Sequence, residues 1–540
     1  LINAQSFPDC KIEPPSSNQT KKTLGLSSNW TTSLSKEWEK LIPENYPYQI
    51  QDNTGDHQIV INGLFSRPQE KEDICVFMEP ECKRGHLTGW TSSNILKRNM
   101  IEWHLNKKYD QLILPSIIPK IDRISMIISA EQRLPGHQNR HNLADALDIT
   151  DLPIDIYGRH NKPFKKGKGS LQYKNSGLET YKYHIAIENC SETGYFTEKL
   201  ADSILSECLT FYWGCPDIDR YIDPRALVIL NPSSENSNSP SSFNILTSLT
   251  LIRQAFQEDW YSQKLPFIRQ QKQRILQWSV FPTFERYFQY GPEIYPDTFV
   301  VNLDRRIDRW NNIITRLAGV TYRRKSAIDG QTIKLDTKQI LFGNIFSVKD
   351  IFTVKQSYQK NPYGGHNFRM GVIGCALSHL QIWDEASRSK NYTRVFEDDI
   401  KLSKNFHLLY PLLHKWLETN SWDLFFLGYT DDQPIYKDEK MFTLKKEGNK
   451  EEKESDQLTI YRFNPSSRRV NGGGTFAYCI SPKGAIKLLS LVKQFGIGQP
   501  IDWFMIEMFT YTESYKCFPH LVTSPVSEDT DIQMDGRIIS

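Results

Sequence analysis

The chain is poor in the features that most quickly assign a class. None of its 540 residues fall in a run approaching the ~18 consecutive apolar residues of a membrane-spanning helix. No basic segment followed by an apolar one, the mark of a secretory leader, stands at its start. Its nine cysteines are scattered, odd in number and never spaced CxxC, which favours reduced thiols and a cytoplasmic location. Charge of one sign is also scarce: 66 basic residues against 63 acidic ones leave a formal net charge of +3. That balance argues against a nucleic-acid binder, which needs a strong basic excess. No internal repeat joins the two halves. The chain begins with Leu1, so an anchor lost upstream, and with it a Golgi lumen, is the alternative location.

What is present is ordinary globular material, 39% hydrophobic and 24% charged, long enough for roughly two to four domains. Aromatics make up 12%, a content that large cores explain more simply than sugar-stacking surfaces. Residues 1–40 are rich in Ser, Asn, Lys and Thr and read as a tail or loosely packed extension. From Gln58 onward "QIVINGLF", "DICVFMEPE", "YDQLILPSII", "RISMIISAEQR", "LPIDIYG", "YKYHIAIENC" and "TFYWGC" read as short buried strands. "TEKLADSILSECL" and "LTSLTLIRQAF" read as helices between or after them. Strands alternating with helices imply an α/β fold with parallel sheets. Gly and two Pro in "YGPEIYPD" mark a boundary, after which "TFVVNL" opens a second run of the same logic. The Lys/Glu-rich "KKEGNKEEKESDQ" reads as a solvated loop or hairpin.

Two stretches carry chemistry. In "YHIAIENCSETGYFTEKLADSIL", Thr197 stands where a helix N-cap would, with Glu198 and Lys199 in the first turn. Free N–H groups and the positive end of the helix dipole suit a diphosphate there, and Lys199 adds a point charge. On these residues alone, a capped helix with a surface Glu–Lys pair is the plainer reading. The second stretch, "TRVFEDDIKL", runs a buried-looking strand into Glu397, Asp398 and Asp399. Clustered like charges are costly in a partly dry site, so the turn is either fully solvated or faces a cation. Hard oxygen ligands suit Mn²⁺ or Mg²⁺ held against a diphosphate.

The surroundings of each stretch resemble a known family. "IDIYGRHNKPFKKG", "YKYHIAIENCSETGYFTEKL" and "FYWGCPDIDRYI" resemble, in order, the α-1,3/4-fucosyltransferases of glycosyltransferase family 10, over roughly residues 127–230. The resemblance implies a GT-B fold of two Rossmann-like halves, a GDP-fucose-like donor and no metal. It further implies that Lys199 and Arg159 neutralise the donor diphosphate, that Arg140 is another basic position near the donor, and that Glu188, Asn189 and Glu198 line the nucleotide-sugar pocket. Glu79 in "FMEPE", with Glu81 as second choice, matches the family's general base. Ile187 and Cys190 depart from the family's Phe and Ser/Thr, which leaves the donor sugar open.

"FVVNLDRRIDRW", "KSAIDGQTI", "GVIGCALSHLQIWDEA", "RVFEDDI", "WDLFFLG", "GGGTFAYCISPKGAIKLL" and "PIDWFM" resemble glycosyltransferase family 25, which includes lipooligosaccharide and collagen galactosyltransferases. Here the implication is a GT-A fold, a UDP-galactose-like donor, an inverting transfer and a divalent cation. Asn302, Arg305 and Arg309 would sit at the nucleotide end, with Asp329 and Gly330 near the uridine. Ser378 and His379 would lie beside the donor, although His379 reads equally well as a packing histidine. Asp398 and Asp399 would hold the metal, Glu397 would be structural, Cys375 packing, and Asp502 the general base. A base is needed because inversion requires a deprotonated acceptor hydroxyl.

The expectation is therefore an extension over 1–40, a family-10-like domain over 41–290 and a family-25-like domain over 297–540. Within the first, an acceptor half covers about 41–125 and a donor half about 126–290. Nucleotide sugars and a glycan acceptor (lipopolysaccharide, glycoprotein or oligosaccharide) are the expected partners, with no nucleic acid and with peripheral membrane association compatible. The alternative is a single active C-terminal domain joined to a degenerate glycan- or nucleotide-sugar-binding module.

Overall fold

The computed structural model describes residues 23–28, 34–52, 57–61, 74–76, 95–96, 101–159, 163–230, 243–290, 296–317, 320–334, 338–341, 344–347, 370–429, 439–445, 457–463 and 474–524. The chain divides into two compact units. The first comprises residues 1–216, 228–263 and 278–285, the second residues 217–227, 264–277 and 286–540. Among the described residues no helix is long and apolar enough to cross a membrane.

The first unit holds two sheets. The smaller joins β1 (Thr23–Ser28), β2 (Gln49–Asp52), β3 (His57–Ile61), β4 (Ile74–Val76) and β5 (Ile95–Leu96) in the order β2-β1-β3-β4-β5, all parallel. Residues 1–40 thus include more than a tail: β1 lies inside this sheet, with Leu24 and Leu26 buried. Two leucines spaced by one suffice for a strand once neighbours cover them, although they are too few to stand out in a polar stretch. The stretch "YDQLILPSII" differs too. It forms the short helix Tyr109–Ile113, and Leu114 and Ile117 after it are exposed. Its apolar run was long enough for a strand, but run length alone does not separate strand from helix.

The larger sheet joins β6 (Ile121–Ile128), β7 (Ile154–Gly158), β8 (Gly167–Gly169), β9 (Tyr181–Ile187), β10 (Leu209–Trp213) and β11 (Leu227–Ile229) in the order β11-β10-β9-β6-β7-β8. Strands β6 to β10 run parallel. Every residue of β10 is buried, and all of β9 but Lys182, as expected for parallel strands covered on both faces. Strand order reverses at β6, which has β7 on one side and β9 on the other. The crevice at the carboxyl ends of β6 and β9 is therefore the place where such sheets bind ligands. The helices Pro135–Asp148 and Glu198–Leu205 both begin at that edge.

The second unit is built on a mixed sheet. Its strands are β12 (Asp297–Asn302), β13 (Arg323–Ser326), β16 (Thr393–Glu397), β18 (Leu424–Phe426), β19 (Glu439–Lys445), β20 (Gln457–Arg462), β21 (Ala477–Ile480) and β22 (Ser514–Phe518). Their order is β13-β12-β16-β21-β18-β22-β20-β19. Small two-stranded pairings join β14 (Lys338–Leu341) to β15 (Asn344–Ser347) and β17 (Lys401–Leu402) to β23 (Val522–Thr523). Alternation sorts the strand residues onto two faces. Phe299, Val301, Val395, Tyr478 and Ile480 pack under the helices Met370–Ser387, Pro482–Phe495 and Ile501–Glu507. Val300, Phe396, Ala477 and Cys479 face the helices Ile307–Arg316 and Phe406–Thr419. Strands β12 and β16 are parallel, so Asn302 and the Glu397-Asp398-Asp399 turn emerge side by side.

Gly158 ends β7 at φ +109°, and a Cβ there would lie 1.9 Å from the Ile128 carbonyl oxygen. Both the backbone conformation and the space exclude a larger residue. Gly158→Ala is expected to destabilise the first unit by about 1–3 kcal/mol, read as a lowered urea midpoint with an unchanged slope.

Candidate functional site

In the first unit the cluster is centred on Glu188, which follows β9 and is fully buried. Its backbone N–H donates to the Trp213 carbonyl at 2.9 Å, fixing it against β10. One carboxylate oxygen accepts from the Thr197 N–H at 2.8 Å and the other from the Thr197 hydroxyl at 2.7 Å. Glu188 therefore pins the N-cap of the helix Glu198–Leu205. Lys199 Nζ donates to Thr197 Oγ1 at 3.0 Å and lies 3.3 Å from Glu198 and 3.7 Å from Glu188. Arg140 donates to the Ile187 carbonyl at 2.6 Å and to Asn189 Oδ1 at 3.2 Å, and His137 Nε2 stands 3.0 Å from the same Asn189 oxygen. Gly136 lets the second helix approach, since a Cβ there would lie 1.9 Å from the Glu188 carbonyl oxygen.

Lys174 and Asp202 complete this network, and neither stood out in the sequence. Lys174 Nζ lies 2.6 Å from Asp202, which is fully buried and also accepts from the His104 N–H at 2.8 Å. Burial would lower the Lys174 pKa, yet the Asp202 and Glu198 charges outweigh it and raise it. Burial likewise opposes ionisation of Glu198, but the ammonium groups of Lys199 and Lys174 hold its carboxyl well below the usual range. Glu188 moves the other way, raised by burial and by the Glu198 charge. The only signal for Lys174 was a polar stretch, "QYKNSG", between two strands.

Not every expected residue joins the cluster. Arg140, Glu188, Asn189, Glu198 and Lys199 are brought together. Arg159 is exposed beyond β7, two strands from Glu188 along the same sheet edge, about 10 Å at the usual strand spacing. Glu79 and Glu81 lie outside the described residues.

In the second unit Asp398 is buried and both its oxygens are engaged. One accepts from Asn302 Nδ2 at 2.6 Å, the other from Arg309 at 3.1 Å. Arg324 holds Asn302 in turn, donating to its side-chain oxygen at 2.8 and 3.0 Å. Asp399 differs: Ser524 hydrogen-bonds to its carboxylate, but Oδ1 is buried with no hydrogen-bond partner among the described residues. Burial, then the Glu397 and Asp398 charges, push the Asp399 carboxyl up to about 6. An uncompensated buried carboxylate oxygen fits a cation ligand, whereas Asp398, already bonded to protein donors on both oxygens, fits that role less well.

Asp502 lies in the first turn of the helix Ile501–Glu507, half-buried. Burial raises its carboxyl, with the Glu397 charge adding to this against a hydrogen bond from the Trp503 N–H. A raised carboxylate within electrostatic range of Glu397 suits a proton acceptor. Arg305 pairs with Asp329 at 2.8 Å, and Asp329 also caps the turn at Gly330. Gly330 abuts Met370, where a Cβ would come within 2.4 Å of backbone. The Ser378 hydroxyl is used within the fold: it donates to the Gly374 carbonyl at 2.7 Å and accepts from the Ile328 N–H at 2.8 Å. It thereby positions the Asp329 turn. His379 is fully buried, its Nδ1 2.9 Å from the Tyr478 hydroxyl and its Nε2 3.4 Å from Glu397. Glu397 also accepts from the Thr475 hydroxyl at 2.6 Å.

Comparison with known proteins matches these two regions separately. Residues 295–505 match the family model described as glycosyltransferase family 25 (LPS biosynthesis protein). Residues 120–231 match the C-terminal model of glycosyltransferase family 10 (fucosyltransferase). Both models describe glycosyltransferase families, and the segment that matches family 10 is followed by the segment that matches family 25. An inactive glycosyltransferase 25 family member 3 from Mus musculus is 30% identical over 145 residues, covering 26% of this chain and 23% of that protein. Procollagen galactosyltransferase 1-A from Xenopus laevis is 34% identical over 149 residues, covering 25% and 23%. The chain thus spans about a quarter of the length of these relatives. The crystal structure of an alpha1,3-fucosyltransferase with GDP-fucose aligns at 16% identity and a TM-score of 0.31, covering 47% of this chain and 84% of that one.

Removing one partner of a buried ion pair leaves the other charge uncompensated, at a cost of about 3–5 kcal/mol. Lys174→Met, which strands Asp202, is expected to destabilise the first unit by that order in chemical denaturation. Because the folded Glu198 carboxyl lies below its ordinary value of 4.5, its contribution is present above that pH and disappears as pH falls. Lys199→Ala should flatten the acid limb of the stability–pH curve.

Proposed function

We propose that the chain is a bifunctional glycosyltransferase acting on a glycan acceptor with inversion at both centres. The N-terminal domain, residues 41–290 in a GT-B arrangement, transfers fucose or a related sugar from a GDP-sugar. The C-terminal domain, residues 297–540 in a GT-A arrangement, transfers a hexose, galactose by family resemblance, from a UDP-sugar. The observation that carries this reading is how each unit compensates its buried carboxylates. Glu188, Glu198 and Asp202 are met by Lys199 and Lys174, with Arg140 alongside. Asp399 keeps a buried oxygen that has no hydrogen-bond partner among the described residues. The first pattern suits a diphosphate bound by protein cations, the second a diphosphate bound through a divalent metal.

In the C-terminal site Asp399 would hold the cation, with Asp398 beside it oriented by Asn302 and Arg309. When bound there, Mn²⁺ or Mg²⁺ would supply positive charge against the departing nucleoside diphosphate. Asp502 takes the proton of the acceptor hydroxyl as that oxygen attacks the anomeric carbon. Arg305, placed by Asp329, faces the nucleotide end. In the N-terminal site Lys199, Arg140 and Arg159 supply positive charge at the sheet edge, and Glu188 positions the helix N-terminus through Thr197. One observation favours the narrower reading, in which the N-terminal unit only binds nucleotide sugar or glycan. Both oxygens of Glu188 are already taken by Thr197.

Excess chelator is expected to abolish transfer from UDP-sugars and to leave transfer from GDP-sugars intact; full UDP-sugar turnover in chelator would remove the metal from the scheme. Asp399→Asn should lower C-terminal transfer by about 100-fold or more. The same variant should raise the unfolding temperature of cation-free protein at neutral pH. The folded Asp399 carboxyl titrates above its ordinary 3.8, so its stabilising contribution is lost as pH rises through about 6. Lys199→Ala should abolish GDP-sugar transfer; if the intact chain shows none, the N-terminal unit is a binding module.

A further inference from the structure

Cys375 and His379 lie four residues apart on the helix Met370–Ser387, on one face, opposite Glu397 at the end of β16. Cys375 Sγ, a ring nitrogen of His379 and a carboxylate oxygen of Glu397 all lie within 4.8 Å of one another. Among the described residues this is the one such group of three or more potential metal ligands. The His379 ring is fully buried, and Nδ1 is used by the Tyr478 hydroxyl, which also accepts from Trp383 Nε1 at 2.9 Å. That fixes the ring and leaves Nε2 aimed at Glu397 and Cys375. Among the described residues Nε2 has no hydrogen bond of good geometry; the Glu397 carboxylate stands at 3.4 Å, a weak charge pairing.

We infer that Cys375, His379 and Glu397 form a binding site for a borderline-soft divalent cation, Zn²⁺, separate from the hard-cation role of Asp399. A tetrahedral Zn²⁺ with bonds of about 2.0–2.3 Å separates its ligand atoms by about 3.3–3.8 Å, so side-chain rotations of about 1 Å close the group. One thiolate, one imidazole and one carboxylate favour Zn²⁺ over Mg²⁺ or Mn²⁺, which prefer all-oxygen shells. Three protein ligands leave the fourth position open to water or an incoming group. The Tyr478 hydroxyl at Nδ1 is the outer partner that orients a metal-bound histidine. Binding displaces the thiol proton of Cys375. Glu397 directly precedes the Asp398–Asp399 turn, so an occupied site would brace the start of that carboxylate stretch.

The test uses the full chain, stripped of metal, and reads binding instead of transfer, so it stands whether or not the proposed reactions occur. One equivalent of Co²⁺ should produce a near-ultraviolet thiolate-to-metal charge-transfer band that Zn²⁺ displaces and excess Mg²⁺ does not. Cys375→Ser should lose the band, whereas Cys190→Ser, in the other unit, should keep it. Tyr478→Phe should weaken Zn²⁺ binding by roughly tenfold. In the unsubstituted protein, one equivalent of Zn²⁺ should slow alkylation of Cys375 severalfold by peptide mapping. A band that survives Cys375→Ser, or unchanged Cys375 alkylation with Zn²⁺ present, would overturn the site.

Discussion

A carboxylate placed at the buried end of a parallel strand must be compensated, and both units are arranged around that requirement. Strands β9 and β16 end respectively in Glu188 and in the turn from Glu397 to Asp399, where desolvation works against ionisation. Around Glu188 the answer is a hydroxyl, a backbone N–H and a set of lysines, assembled from the strand, the following helix and the turn bearing Lys174. Around Asp398 it is an amide from the neighbouring strand and an arginine from the helix after it. Asp399 keeps an oxygen with no hydrogen-bond partner among the described residues. The helices and loops at each site stand where they do because these charges have to be satisfied.

Several residues near the two sites also hold the backbone in place. Ser378 and Glu188 spend their polar atoms on backbone groups or on Thr197 and act as positioning residues. Gly330, Gly374 and Gly136 owe their identity to close backbone contact, since a Cβ at each would collide with a neighbouring chain segment. His379 is drawn into a polar group with Tyr478, Trp383 and Glu397 inside an otherwise apolar layer. Buried polar groups of that kind hold a single arrangement because each partner has few alternatives.

Much of the parallel strand set in both units was legible because parallel strands covered on both faces leave largely apolar runs. "RISMIIS", "YKYHIAI", "TFYWG" and "TFVVNL" are such runs, and each forms a strand. The failures have the same origin. In "TLGLSS" only alternate positions are apolar within a polar stretch, so β1 passed for a tail. In "YDQLILPSII" the run is apolar, yet it forms a single helical turn followed by exposed side chains. Burial by neighbours decided both cases, and neighbours are absent from a local pattern.

The sequence by itself determined where charged groups meet strand ends and helix starts. Glu188 after β9, Thr197 before its helix and Asp398–Asp399 after β16 follow from local order and spacing. Only the tertiary structure decided which partners those groups acquire. Lys174 reaches Asp202 across 28 positions, Asn302 reaches Asp398 across 96, and Tyr478 reaches His379 across 99. The physical reason is that electrostatic and hydrogen-bond energies depend on separation in space. Parallel sheets create that proximity by crossover connections that bring distant strand ends to one edge.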